Sequence, residues 1–482
     1  MSSAPGLLLG LVLAAPLALG LLALWRPPER MRPVALAGAP LPLATLWLLP
    51  QVGEVGLYGS LALFGLTLHW RLDALGGLLL LLTQLVLLAS AAYAAGHRRA
   101  LDLPGGGYAR FWPLLGGLAA ALGLIWVAAD LLLLYAGLEL MGLCAVGMML
   151  LPGKAEALVA GLRYLLYALV GSLAWLLGVA LLLGIWGTLD LAGLAAVAEP
   201  DAVTRIAMAL LAGGLLLKAA IFPLHGWLAP VHASAWTPVS AVHGALVVKA
   251  SFFILVLLWR LLLPEAVAAA WALGLLGAAA VLWGGVQAWR ADSLKQVVAW
   301  STVGQLGYLM LLFPLLAGTA AGVAVLAWQS TWLQLAGHAL AKAAMFMAAG
   351  NLMFSTGAAR LADLAGTSRR LPLSLMTFGL AAVTLMGLPP SAGFTAKWLL
   401  LQASLQSGQW LWVGVLVVGT LLTAAYVFRV LRCSFVEEAP RQAFQPLPRG
   451  MELVALLLAL AAVGLGLVAE WPMALLRQGG VP

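Results

Sequence analysis

The chain has 482 residues, of which 64% are hydrophobic and 9% charged, with a mean hydropathy of +1.05 and a formal net charge of +8. Water-soluble globular domains carry about a quarter charged residues, so this composition excludes that class and indicates a membrane protein. Two cysteines far apart in sequence, Cys144 and Cys433, support neither a disulfide framework nor a cysteine-held iron–sulfur cluster.

Residues 5–25 read as the first spanning helix, because the start MSSAPG lacks the basic residues of a signal peptide. Many apolar stretches of about 20 residues follow, each long enough to cross a hydrocarbon core as a helix. They are apolar on every side, unlike the alternation of a transmembrane barrel. The expectation is an all-α polytopic membrane protein with about fourteen transmembrane helices. Cytoplasmic loops are enriched in Lys and Arg, and the basic residues follow the odd-numbered helices. Arg26, Arg30 and Arg32 follow the first, Arg98, Arg99 and Arg110 the third, and Lys154 and Arg163 the fifth. Arg290 and Lys295 follow the ninth, Arg360, Arg369 and Arg370 the eleventh, and Arg432, Arg441 and Arg449 the thirteenth. The seventh exit carries His225 and His232 instead. This pattern puts both termini on the periplasmic or outer side, and the expected location is the bacterial cytoplasmic (inner) membrane. It also attributes the positive charge to orientation in the bilayer rather than to nucleic-acid binding.

Two segments look like counterparts. In LLLKAAIFPLHGWL, Pro223 interrupts an apolar run next to Lys218; in LMGLPPSAGFTAKWLLL, Pro389 and Pro390 do so before Lys397. Proline-broken segments in two halves of a membrane protein point to a transport site at a repeat interface. The expected organisation is three helices in 1–105, a first five-helix repeat in 106–262, a second in 263–432, and a cytoplasmic loop with the last helix in 433–482. Five is odd, so the second repeat is inverted relative to the first. Broken backbone survives at membrane depth only inside protein or beside water, so both breaks should face the interior.

Ionisable residues at depth carry the functional reading. Four of the six lysines, Lys218, Lys249, Lys342 and Lys397, fall within apolar helices, and Glu139 is the one carboxylate near a helix centre. A charge at the bilayer middle costs about 2.5–3.5 kcal/mol on insertion scales, so partners or water must receive these groups. Snorkelling to an interface or a static pair suits Lys154 and Lys295. Lysine exchanges its proton when buried, whereas arginine does not. A Glu139–Lys218 pair that opens and closes would therefore switch the lysine between holding and releasing a proton. His338 and Lys342, four residues apart, share one helix face and suggest a relay. His225 and His232 could guide protons from the cytoplasmic side, while His243 is either hydrogen-bonded core or an accessory relay. None of these spacings is a metal-ligand spacing, and no metal is expected.

The stretch KAAIFPLHGWLAPVHASAWTPVSAVHGALVVKASFFIL resembles the antiporter-like membrane subunits of respiratory complex I, membrane hydrogenases and Mrp-type cation/proton antiporters. DSLKQVVAWSTVGQLGYLM, HALAKAAMFMAAGNLM and GLPPSAGFTAKWLL agree with it, and the likeness runs from about Asp73 to Arg432. The resemblance implies a central polar axis in which Glu139 pairs with Lys218, Lys249 is the central lysine, His338 and Lys342 form the link, and Lys397 is the exit-side lysine. Lysine at 249 and 397, with GALVVKA, looks more like the Mrp D-type and hydrogenase branch. LAPVHASAW lacks the acidic residue that relatives usually carry there, so no acidic role is carried into this loop.

The resulting expectation is vectorial proton transfer, alone or exchanged for Na⁺, by one membrane subunit of a multisubunit complex. Its partners would be the other membrane subunits and the lipid bilayer. No phosphate-binding glycine loop of either common kind is present, and no cofactor is expected in this chain. Three other classes compete: a haem- or quinone-handling membrane enzyme with His243 and His338 as ligands, a standalone proton-coupled carrier, and a structural subunit without transport.

Overall fold

A computed structural model describes residues 4–25, 37–52, 56–63, 66–96, 106–436 and 444–478. Arg26, Arg30, Arg32, Arg98, Arg99 and Arg441 of the charge pattern lie outside the described residues. The chain opens with α1 (Ala4–Leu22) and a short α2 (Pro40–Leu48). Next come an antiparallel hairpin of β1 (Leu57–Leu63) and β2 (Leu66–Leu72), then α3 (Ala74–Gly96), α4 (Gly107–Val127), α5 (Leu131–Met149) and α6 (Ala155–Trp186). A broken helix follows, α7 (Ala202–Lys218) and α8 (Leu228–Ser234). After it come α9 (Thr237–Leu262), α10 (Val267–Arg290), α11 (Leu294–Met310) and α12 (Ala321–Thr356). A second broken helix, α13 (Pro372–Met386) and α14 (Ala392–Gln406), precedes α15 (Trp410–Phe435), α16 (Arg449–Leu467) and α17 (Glu470–Gln478).

Ten helical segments among the described residues are long and apolar enough to cross a membrane. The broken helices fall short because each is divided into pieces of at most 17 residues. The hairpin departs from the all-α expectation. Its register runs from Leu57 opposite Leu72 to Leu63 opposite Leu66. Trp70 bridges Ala128, and the Ala129 N–H donates to the His69 carbonyl at 3.1 Å, so the hairpin covers the α4–α5 turn. There Asp130 caps α5 by accepting from the Leu132 N–H at 2.7 Å, as short polar side chains do at helix starts. Burial pushes its carboxyl up from the ordinary range despite that bond.

Burial separates inner from outer helices. In α9 and in the span Leu294–Leu316, 94% of the most apolar window is buried, against 33% in α6 and 28% in α16. From Leu166 onward the exposed residues of α6 are apolar (Leu166, Leu169, Val170 and Leu173 among them), as a lipid-facing surface requires. Small residues let neighbouring backbones touch. A Cβ on Gly171 of α6 would lie 2.9 Å from the Gly214 carbonyl of α7, and one on Gly277 of α10 would lie 2.6 Å from that of Gly307 in α11.

Helix ends carrying basic residues gather on one face. Ser293 bridges Arg360, the Gly366 N–H bonds the Val436 carbonyl, and Lys295 donates to the Ala235 carbonyl at 2.5 Å. Lys295 is therefore buried and tied to the end of α8 rather than snorkelling outward. At the opposite ends, His69 lies 3.5 Å from Asp190, which pairs with Asp130 as an isolated bridge.

Candidate functional site

Both breaks expose carbonyls that a continuous helix would use, and each has a side chain that takes them up. After α7 the chain turns through Ala220, at φ 54, and Pro223; the Trp227 indole N–H donates to the Leu217 carbonyl at 2.9 Å. After α13 it turns through Gly387, at φ 78, and the prolines. There the Lys397 ammonium donates to the carbonyls of Leu385 at 3.0 Å and Met386 at 3.2 Å, and to Thr420 Oγ1 at 3.2 Å. Lys397 also sits over the Tyr308 ring, 4.8 Å from its centroid. A lysine thus closes the second break directly. In the first, Lys218 is the last residue of its helix and turns toward a carboxylate.

Glu139 and Lys218 meet. Lys218 Nζ lies 3.1 Å from Glu139 Oε1, and Ser172 Oγ lies 2.5 Å from the same oxygen. Three helices build the pair: α5 brings Glu139, α6 brings Ser172, and α7 brings Lys218 at its end. Gly171 makes room, because a Cβ there would stand 3.3 Å from Lys218 Cγ.

From Trp227, bonded to the carbonyl next to Lys218, a series of rings begins. Trp227 stacks on Tyr164 with centroids 4.1 Å apart, and Tyr164 meets the edge of His243 at 6.3 Å. His243 Nδ1 bonds the Val239 carbonyl at 3.0 Å. Residues His243–Val247 form a π-turn in α9, the kind of bulge that frees backbone groups and recurs at functional sites. The carbonyl of Gly244, in this turn, accepts from Lys249 Nζ at 2.7 Å. His232 stacks on Phe346 with centroids 4.7 Å apart.

Lys249, His338 and Lys342 lie close enough for their charges to act on one another, and His232 feels both lysines. Both nitrogens of His232 and of His338 lack a partner among the described residues. Lys342 Nζ donates to the Val298 carbonyl at 2.8 Å and to Ser301 Oγ. From Ser301 a polar stripe continues along α11. Gln305, one turn on, accepts from Gln334 Nε2 at 2.9 Å and donates to the Leu385 carbonyl at 3.2 Å, the oxygen that Lys397 also holds. Polar protein groups thus line the second half from Lys342 to Lys397, with Ser301 and Gln305 one helical turn apart on α11.

The structure brings Glu139 to Lys218 and gathers Lys249, His232, His338 and Lys342 in one buried cluster. His225 stands apart, stacked on Phe222 at 5.4 Å and edge-on to Trp300 at 5.5 Å, between the first break and α11. Sequence reading missed Ser172, Ser301, Gln305 and Gln334. Ser301, Gln305 and Tyr308 recur at helical spacing within an apolar run, which was the available signal. No group of three His, Cys, Asp or Glu among the described residues could hold a metal ion.

Fold and site together define a polytopic helical membrane protein built around buried lysines. The family model described as NADH:quinone oxidoreductase/Mrp antiporter, TM, matches residues 128–423, and the chain belongs to that family. It is 35% identical over 419 residues to NADH-quinone oxidoreductase subunit N of Desulforudis audaxviator, covering 82% of this chain and 80% of that protein. The solved structures that share the fold include two chains of complexes. One is a chain of the Mrp complex from Dietzia sp., with TM-score 0.87 and 24% identity, covering 99% of this chain and 98% of that one. The other is a chain of respiratory complex I from Thermus thermophilus, with TM-score 0.83 and 23% identity, covering 98% and 100%.

Proposed function

We propose that this chain translocates protons as an antiporter-like membrane subunit of a multisubunit complex, with its own residues forming the proton path. The 3.1 Å contact between Glu139 and Lys218, beside a broken helix, carries the reading. An ammonium held by a carboxylate keeps its proton, and separating the two favours its release toward the central lysines. Lys249, His338 and Lys342 would pass the charge on, and Lys397 would deliver it at the second break. His232 and His243 border this path and would act as accessory relays. His225 would guide protons at the entrance beside Pro223. Membership of the family supports partner subunits in the membrane. Exchange for Na⁺ and assignment to the Mrp D-type branch remain parts of the proposal, and the path requires no cofactor in this chain.

The same reading extends to topology. The ten apolar spans, α12 and the two broken pairs make thirteen crossings, and the stretch that ends in α2 would make the fourteenth. In α4–α9 and again in α10–α15, the fourth of five crossings is the broken one, which favours two inverted repeats within 106–262 and 263–432. The basic face would be cytoplasmic, which puts both termini on the periplasmic side of a bacterial inner membrane. The test is Lys218→Ala and Glu139→Ala in the assembled complex, reconstituted in liposomes. Both should abolish coupled proton movement with assembly intact; normal coupling in both would sink the proposal.

A further inference from the structure

At the basic face, α10 and α15 end side by side and leave a cleft of about 620 Å³ lined by Trp289, Arg290, Ala425, Phe428, Arg429 and Arg432. The two helices pack closely below it, where a Cβ on Gly285 would meet Leu422 at 2.9 Å. Arg429 forms the floor. Its guanidinium donates to the carbonyls of Trp289 at 2.5 Å and Ala291 at 2.7 Å, and to Asp292 at 2.8 Å. Arg290 and Arg432 are exposed, and neither has an ion-pair partner among the described residues. Three guanidinium groups therefore face one cleft, and the carboxylate that bonds there among the described residues, Asp292, is already engaged by Arg429.

The cleft opens onto an apolar surface. Val418, Leu421, Ala425, Phe428 and Arg432 follow one another at alternating spacings of three and four, which places them in one line along α15. All five are exposed, Leu421 at 64% and Phe428 at 61%. Ala425 is a notch between two large side chains, and Trp289, 52% exposed, borders it from α10. A soluble anion would use the arginines but not this stripe. A zwitterionic lipid would use the stripe but leave the arginines without a net counter-charge. Basic pockets between transmembrane helices, continuous with lipid-facing surface, match the head group and chains of an anionic lipid.

We propose that this groove binds one anionic phospholipid, its phosphate on Arg290 and Arg432 and an acyl chain along Phe428, Ala425 and Leu421. Arg429 holds the ends of α10 and α15 at the spacing the head group requires. The site lies outside the lysine axis and would fasten the second half of the bundle to its annulus.

The test is native mass spectrometry of the full chain, delipidated and then titrated with phosphatidylglycerol or phosphatidylcholine. Each arginine near an anionic surface contributes about a fivefold preference, so the pair should favour phosphatidylglycerol by about thirtyfold. The double variant Arg290→Gln/Arg432→Gln should erase the preference. Ala425→Trp, which fills the notch and keeps the arginines, should also weaken retention, and provides an independent arm if the double variant folds poorly. Inorganic phosphate should not displace the lipid. Equal retention of both lipids by the wild type, an unchanged preference in the double variant, or displacement by phosphate alone would overturn the proposal. So would cross-linking of an acidic segment of another subunit into the groove in the intact complex.

Discussion

Replacing Ser301 with alanine tests whether the polar stripe of α11 carries protons between Lys342 and Lys397. Among the described residues Lys342 Nζ has two hydrogen-bond partners, the Val298 carbonyl at 2.8 Å and Ser301 Oγ. Alanine leaves the first and removes the second, deleting one oxygen atom from a buried position and no packing carbon. A hydrogen bond to a charged group contributes about 1.5–3 kcal/mol. If the connected arrangement is the conducting one, its loss lowers transfer through the second half by about 10–100-fold. The assay is proton uptake by liposomes holding the assembled complex, read with a pH-sensitive dye, with thermal unfolding as the control for folding. Ser301→Thr keeps a hydroxyl and should keep most of the rate. A wild-type rate in Ser301→Ala, with assembly intact, would refute a path through Ser301 and Gln305.

Three further substitutions probe the frame around the path. In Gly171→Ala the new Cβ stands 2.9 Å from the Gly214 carbonyl and 3.3 Å from Lys218 Cγ. It should move the lysine off Glu139 and lower proton transfer more than it lowers the unfolding temperature; an unchanged rate would show that the close approach is immaterial. Lys397→Met withdraws the donor shared by the Leu385 and Met386 carbonyls, so it should stop transfer and destabilise the chain by about 2 kcal/mol, measured as a lowered melting temperature. Asp130→Ala removes the cap of α5 and should cost about 1 kcal/mol of stability with little change in transport, whereas Asp130→Asn, which still caps, should sit near wild type.

Rare charges were legible in the sequence and common hydroxyls were not. A lysine or glutamate in an apolar helix stands out because burying it without a partner is so costly, and Glu139 and Lys218 do meet as that argument required. Ser172 and Ser301 carry no such flag, because a serine can satisfy itself on its own helix, as Ser172 partly does at the Ala168 carbonyl, 2.9 Å away. Their role depends on which way the helix faces, and that is set by packing. For Lys295 the sequence left snorkelling and a static pairing open; the end of α8 folds over it and supplies a fixed partner, the Ala235 carbonyl. The hairpin was hidden because LYGSLALFGLTLHWRL is apolar enough to read as helix. The breaks at Pro223 and Pro389–Pro390 were clear from the prolines alone, but not the means by which Trp227 and Lys397 take up the freed carbonyls.

The central claim is that lysine ammonium groups inside the bundle release and regain protons during turnover. With only six lysines in the chain, selective ¹⁵N labelling of their side chains would give a spectrum of few signals. Lys218→Arg, Lys249→Arg, Lys342→Arg and Lys397→Arg would assign the four that matter. Spectra of the assembled complex at rest and under a sustained proton gradient should show at least Lys218 passing from ammonium to amine. If all four remain ammonium while protons cross the membrane, the lysines are structural and the path lies elsewhere.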